Sequence, residues 1–256
     1  MSVQPATKYY DDDAVVRRHV ARNASGLRDH EQRLVETYFE DRDARVLDVG
    51  CGTGRVAGAL ADRGFETVGV DLSEPMTVAA SEEFPELDFA LGDATDLPFA
   101  TDAFDYAVFA NAGLDDVYPE SARIEVLTEL ARVLAPDGLL AFSTNNALNR
   151  YLFDPRRTSE WGSFGRFLLR NARAGLFGSR YKRIAFAHGV EPTYGITPPA
   201  QRRQLARVGY QLVGTAQRRP GRPLLFDPRP YYVVRSSLTT RENGDDFSNP
   251  SDSSPP

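Results

Sequence analysis

Apolar residues along the chain change period several times, and those changes mark the elements. Over residues 14–40, Val16, Val20, Leu27, Leu34, Val35 and Tyr38 recur at mixed three- and four-residue spacings, which predicts one long amphipathic helix. The pattern then shortens to compact β-branched runs. Arg45–Val49 predicts a first strand running into glycines, and Thr67–Asp71 predicts a second after a helix near 55–63. A helix near 74–83 leads to a short strand, Leu87–Ala90, and Phe104–Phe109 predicts a fourth. A helix over about 120–134 stops at Pro136-Asp137-Gly138, a breaker followed by a turn residue, and Leu139–Ser143 predicts the fifth strand. Periodicity weakens over 146–199, then a helix near 200–208 and strands at Tyr210–Gln217 and Tyr231–Arg235 complete the series.

Strands alternating with helices of this length predict an α/β fold: a doubly wound, mostly parallel, seven-stranded Rossmann-like sheet. The organisation expected is an N-terminal helical lid over 1–40 and a core over 41–145 and 200–236. Between the two core pieces lies a basic, largely helical cap inserted at 146–199. The Ser-, Asp-, Asn- and Pro-rich stretch 237–256 buries too little apolar surface to offset its ordering entropy, so it predicts a disordered tail.

Composition narrows the function classes. The 256 residues are 41% hydrophobic and 26% charged, ordinary for a globular chain that needs no covalent staples. A single cysteine, Cys51, excludes an intramolecular disulfide framework and a zinc site built on several thiolates. Three histidines without metal-ligand spacing give no expectation of a catalytic metal. With a polar, acidic segment at Met1–Asp13 and no apolar run of membrane-spanning length, the expectation is a soluble cytoplasmic protein.

The net charge of −6 conceals a division: residues 1–144 carry a balance of −16, and residues 145–235 one of +13. Such asymmetry marks a surface for an anion, a nucleic acid or a membrane, or two regions that attract each other. The basic stretch interleaves cations with aromatics, as in Arg166-Phe167-Leu168-Leu169-Arg170 and Arg180-Tyr181-Lys182-Arg183. RNA and a membrane surface are therefore candidate partners beside a small anionic molecule.

Candidate chemistry centres on Val46-Leu47-Asp48-Val49-Gly50-Cys51-Gly52-Thr53-Gly54-Arg55. Alternating glycines after a strand let the backbone turn tightly against a ligand. A dinucleotide fingerprint would need glycine where Arg55 stands, and a P-loop would need a Gly-Lys-Ser/Thr ending; both are absent. A carboxylate at Asp48 opposes pyrophosphate and suits a ligand carrying positive charge.

Asp48, Gly50, Gly52 and Gly54 resemble, position by position, the first motif of the class I S-adenosylmethionine-dependent methyltransferases. The resemblance continues through Val68–Ser73, through Leu91–Phe99, through Phe104-Asp105, through Arg132–Gly138, where Asp137 replaces a more usual glycine, and through Val208-Gly209-Tyr210. It implies S-adenosylmethionine as cofactor, leaving as S-adenosylhomocysteine. Asp71 would meet the ribose hydroxyls, Leu72 and Met76 would pack on the adenine, and Asp93 with Ala94 would read its edge. Asp48, Gly50, Cys51, Gly52 and Gly54 would form the cofactor-binding loop, with Cys51 as its small packing residue.

No catalytic residue announces itself, because a sulfonium methyl needs chiefly an acceptor held in line. Asn111, after the fourth strand, is expected to border the transfer point as both a cofactor and a catalytic candidate. His188, inside the cap, is the candidate base ahead of His19 and His30; Tyr9 and Tyr10 could close a lid or simply anchor the first helix. The Asn/Asp-Pro-Pro-aromatic motif for base nitrogens is missing, and the one cysteine lies in the cofactor loop, so both nucleobase mechanisms are disfavoured. The expected function is methyl transfer to a small molecule; the alternatives are an RNA methyltransferase or a non-catalytic binding module of the same fold.

Overall fold

The computed structural model describes residues 7–150, 161–173, 179–186, 189–218, 220–221 and 223–236. Its centre is a sheet of seven strands: β1 (Arg45–Val49), β2 (Glu66–Asp71), β3 (Asp88–Leu91), β4 (Phe104–Phe109), β5 (Leu134–Ser143), β8 (Tyr210–Ala216) and β9 (Tyr231–Ser236). Their spatial order is β3-β2-β1-β4-β5-β9-β8. The first five run parallel, and β9 enters antiparallel to both β5 and β8. Helices α4 (Arg55–Ala61), α5 (Glu74–Glu83) and α6 (Glu120–Val133) make the crossovers, and α9 (Pro198–Arg207) precedes the closing strand pair.

Both sheet faces are covered, so the strands read as near-continuous apolar runs. Leu47, Val49, Val70, Phe104 and Phe142 pack on one face with Leu127 and Leu130 of α6. Val46, Val108 and Ala141 pack on the other with Val56 and Leu60 of α4. Strand order reverses between β1 and β4, so the carboxyl ends of these two neighbours diverge and leave a crevice between their loops.

The single helix expected over 14–40 is two, α2 (Asp13–Asn23) and α3 (Asp29–Tyr38), after a short α1 (Thr7–Tyr10). The break has a polar cause. The Asn23 amide donates to the Thr53 carbonyl at 2.7 Å and accepts from the Thr53 hydroxyl at 2.8 Å, so the helix ends where it meets the glycine loop. The chain restarts at Arg28, whose N–H donates to the Glu31 carboxylate at 2.9 Å, half of a capping box. Asp137, the residue standing where glycine is more usual, has φ +66°, so the turn does require a left-handed residue.

The cap is less helical than expected. Besides α7 (Ala147–Arg150) and α8 (Trp161–Arg173) it holds an antiparallel hairpin, β6 (Tyr181–Phe186) and β7 (Gly189–Tyr194). Dense Arg and Lys in β6 masked the two-residue alternation. Its buried Tyr181 and Tyr194 rings lie 5.1 Å apart and seat the hairpin on the core. The stretch 237–256, expected to be disordered, lies outside the described residues.

One buried ion pair ties cap to core. Arg123 of α6 and Asp115, both fully buried, meet at 2.8 Å. Asp115 also accepts from the Thr144 hydroxyl and the Asn145 N–H, while Arg123 donates to the Leu114 carbonyl and lies over the Tyr194 ring at 4.3 Å. Removing one partner of a buried, satisfied pair strands the other charge. Arg123→Met therefore lowers unfolding free energy by about 3–5 kcal/mol in urea titrations. Asp115→Asn/Arg123→Met recovers part of that loss, since no charge is left stranded and the amide oxygen keeps one of the two bonds from Thr144 and Asn145; a single-variant loss below about 1 kcal/mol would contradict this role.

Candidate active site

The crevice at the strand-order reversal opens into a cavity of about 190 Å³. Nine of the residues picked out as cofactor contacts line it: Asp48, Gly50, Cys51, Gly52, Asp71, Leu72, Asp93, Ala94 and Asn111. The β1–α4 loop forms the floor. Gly50 has φ +61°, and a Cβ there would lie 2.8 Å from the Phe109 ring, so only glycine lets the loop pass beneath β4's last residue.

Two carboxylates hold this loop open. Asp71, at the end of β2, accepts the Gly52 N–H at 2.7 Å and the Ser73 N–H at 3.0 Å. Asp48, at the end of β1 and almost wholly buried, accepts the N–H of Ala57 in the first turn of α4 at 3.0 Å. Burial pushes the Asp48 carboxyl up to about 7 against the pull of Arg55. Asp71 is also raised by burial, opposed by its backbone donors. The same burial drives the Cys51 thiol well above its ordinary value, making it an inert packing group.

Two expected contacts lie elsewhere. Gly54 caps α4 and does not line the cavity; its backbone, at φ +87°, leaves room for the Phe84 and Phe89 rings, so its role is packing. Met76 is fully buried beneath α5 and is also absent from the lining. His188 lies outside the described residues. His30 is buried with its ring 5.5 Å from Tyr231 and has a core role.

The N-terminal segment contributes more than sequence reasoning assigned it. Tyr10, His19, Arg22, Asn23 and Arg28 all line the cavity. The Tyr10 hydroxyl donates to Asp116 at 3.4 Å, and Ser73 donates to Asp11 at 2.8 Å, so the start of the chain spans the crevice mouth. Burial and the neighbouring Arg22, Arg18 and Arg55 depress His19, leaving it a neutral imidazole at neutral pH. The legible signal for Asn23 and Arg28 was their interruption of the apolar stripe. Among the described residues no group of three or more His, Cys, Asp and Glu side chains is placed to hold a metal ion.

Comparison with known proteins fits this geometry. Residues 46–138 match the methyltransferase domain family. The chain carries a methyltransferase domain over this stretch. A demethylmenaquinone methyltransferase from Beutenbergia cavernae is 44% identical over 103 residues, 39% of this chain and 41% of that protein. A malonyl-[acyl-carrier protein] O-methyltransferase from Salmonella typhimurium is 33% identical over 121 residues, 47% of each. The matched stretches thus span less than half the length of these relatives. The crystal structure of an S-adenosylmethionine-dependent methyltransferase from Methanosarcina mazei shares the fold, with a TM-score of 0.66 and 17% identity. It covers 84% of this chain and 100% of that one. No helix among the described residues is long and apolar enough to cross a membrane.

The Asp48 shift in this methyltransferase domain fixes a pH dependence. Unfolded, the carboxyl ionises near 3.8; folded, near 7, so the native state holds more protons in that window. Native stability therefore falls as pH rises from about 4 to 7 on account of this group. Asp48→Asn removes the dependence, and its stability relative to wild type increases between pH 5 and 8 in denaturant titrations. A constant difference across that range would show that Asp48 is ionised throughout.

Proposed function

We propose that the chain transfers a methyl group from S-adenosylmethionine to a small-molecule acceptor. The supporting observation is the set of acidic strand ends around one open glycine loop, with Asp48, Asp71 and Asp93 on the lining of a single cavity. The residues fit the cofactor. The cradle at Gly50 admits no side chain, and acidic groups outline a place for a cationic nucleoside. Asp71 and Leu72 would hold the nucleoside's sugar and base side, Asp93 and Ala94 its outer edge, and the Gly50–Gly52 backbone with Asp48 its amino-acid arm.

S-adenosylmethionine supplies a methyl group already activated on a positively charged sulfur. What remains for the protein is to orient the acceptor, exclude water and, where the acceptor carries a proton, remove it. Asn111 stands at the cavity edge on a turn after β4, suited to orient an acceptor atom. His19, neutral and on the lining, is the described residue best suited to take a proton; it replaces His188 as the base we favour. The names of the relatives, which act on a quinone precursor and a carrier-bound malonyl group, favour a small acceptor group over a nucleic acid.

Isothermal titration with S-adenosylhomocysteine tests the cofactor half. Wild type binds one equivalent, and Asp71→Asn, which still accepts the Gly52 N–H, weakens binding by about tenfold or more. Because a cationic ligand favours ionised Asp48, binding of S-adenosylmethionine at pH 6 releases a proton, visible as buffer-dependent heat, and Asp48→Asn abolishes the release. Equal affinity of wild type and Asp71→Asn would overturn the assignment. Transfer of labelled methyl from the cofactor into small-molecule fractions of a host extract tests the acceptor half; label found only in RNA would overturn it.

A further inference from the structure

The cavity has two poles. Asp48, Asp71 and Asp93 line the strand-end side, while Arg22, Arg28 and Arg55 line the side built by α2, the α2–α3 loop and α4. The cations are not equally engaged. Arg55 is committed: it meets both Glu31 oxygens at 2.7 and 3.1 Å and donates to the Gly26 carbonyl at 2.6 Å. Glu31 is also saturated, accepting in addition from the Arg28 N–H at 2.9 Å and the Tyr231 hydroxyl at 2.8 Å. Arg28 is left with a secondary 3.5 Å contact to Glu31, and its guanidinium donates to a neutral partner, Asn111 Oδ1, at 2.6 Å. Arg22 makes no ion pair or side-chain hydrogen bond among the described residues. Glu31 is thus taken up by Arg55, and Arg28 and Arg22 remain as guanidiniums on the lining, Arg28 at Asn111.

Asn111 is itself held in an uncommon conformation. It and Ala112 have φ of +59° and +61°, costing non-glycine residues about 1 kcal/mol or more each. The Ala112 N–H fixes this turn by donating to the buried Ser143 hydroxyl at 2.7 Å. The turn keeps the Asn111 amide on the cavity edge, where it meets Arg28.

We propose that Arg28 and Arg22 seat an oxyanion group of the methyl acceptor, a carboxylate or a phosphate, so that the substrate is an anionic small molecule presented beside Asn111. This rests on the methyl-transfer reading and adds the acceptor's chemical class. A planar guanidinium offers paired donors that match either anion. Binding the anion at one pole and the cationic donor at the other gives each ligand its own complement within a single cavity.

The experiment loads wild type with S-adenosylhomocysteine and titrates benzoate, phenyl phosphate and neutral benzamide. Wild type binds at least one of the anions about tenfold or more tighter than benzamide. Arg28→Met and Arg22→Met each remove most of that preference while S-adenosylhomocysteine affinity stays within about twofold. Arg28→Lys, which keeps the charge without the planar fork, retains part of the preference and guards against a misfolded methionine variant. Benzoate against phenyl phosphate identifies the anion. Benzamide binding as well as both anions would overturn the proposal. So would Arg28→Met weakening S-adenosylhomocysteine but not methylthioadenosine, which lacks a carboxylate, because the guanidinium would then serve the donor's own amino-acid arm. Failure of wild type to bind S-adenosylhomocysteine at all would overturn the methyl-transfer reading beneath it.

Discussion

The site depends first on the Asp71 carboxylate receiving the Gly52 N–H at 2.7 Å and the Ser73 N–H at 3.0 Å. That one side chain joins the end of β2 to the loop leaving β1, across the point where the strand order turns. Together with the Cys51 N–H, which donates to the Val70 carbonyl at 3.1 Å, it sets the height of the glycine loop above the sheet and so the floor of the crevice between β1 and β4. The requirement runs in both directions. The loop can approach Asp71 because Gly50 and Gly52 take left-handed φ, and Asp71 can stay buried because backbone N–H groups offset its desolvation.

Asp48 and Asp71 show that structural and binding roles need not compete. Asp48 accepts a hydrogen bond from the first turn of α4 and Asp71 holds a loop, yet both remain on the cavity lining. A helix N-terminus is a favourable place for a carboxylate. Burial leaves Asp48 less ionised than an exposed aspartate, so a cation arriving in the cavity meets a group that gains from becoming charged. The opposite wall works by surplus: Glu31 neutralises Arg55, while Arg28 and Arg22 keep charge in reserve.

Much of this was legible in the sequence. The seven strands are short apolar runs bounded by turn residues, and the acidic residues ending β1 and β2 stand out because carboxylates rarely finish buried strands unless something binds there. The elements that were misread failed for identifiable reasons. The lid was read as one helix because Leu27 and Leu34 preserve helical spacing across a break that a side-chain contact 30 residues distant, Asn23 with Thr53, imposes. The β6–β7 hairpin was hidden because the polar positions of β6 are cationic and the buried tyrosines of the pair are amphipathic. Met76 looked like an adenine contact by its position after Asp71, but α5 turns it inward to the core. Arg28 showed only as an interruption of the apolar stripe; its importance stayed hidden because it lies in Arg55 already holding Glu31.

The most direct test of the central claim is backbone amide hydrogen exchange with and without S-adenosylhomocysteine. The account predicts slowed exchange concentrated at residues 50–54, 71–73 and 92–94, with the outer strands β8 and β9 unchanged. Protection centred on the cap, or none at the glycine loop, would contradict it.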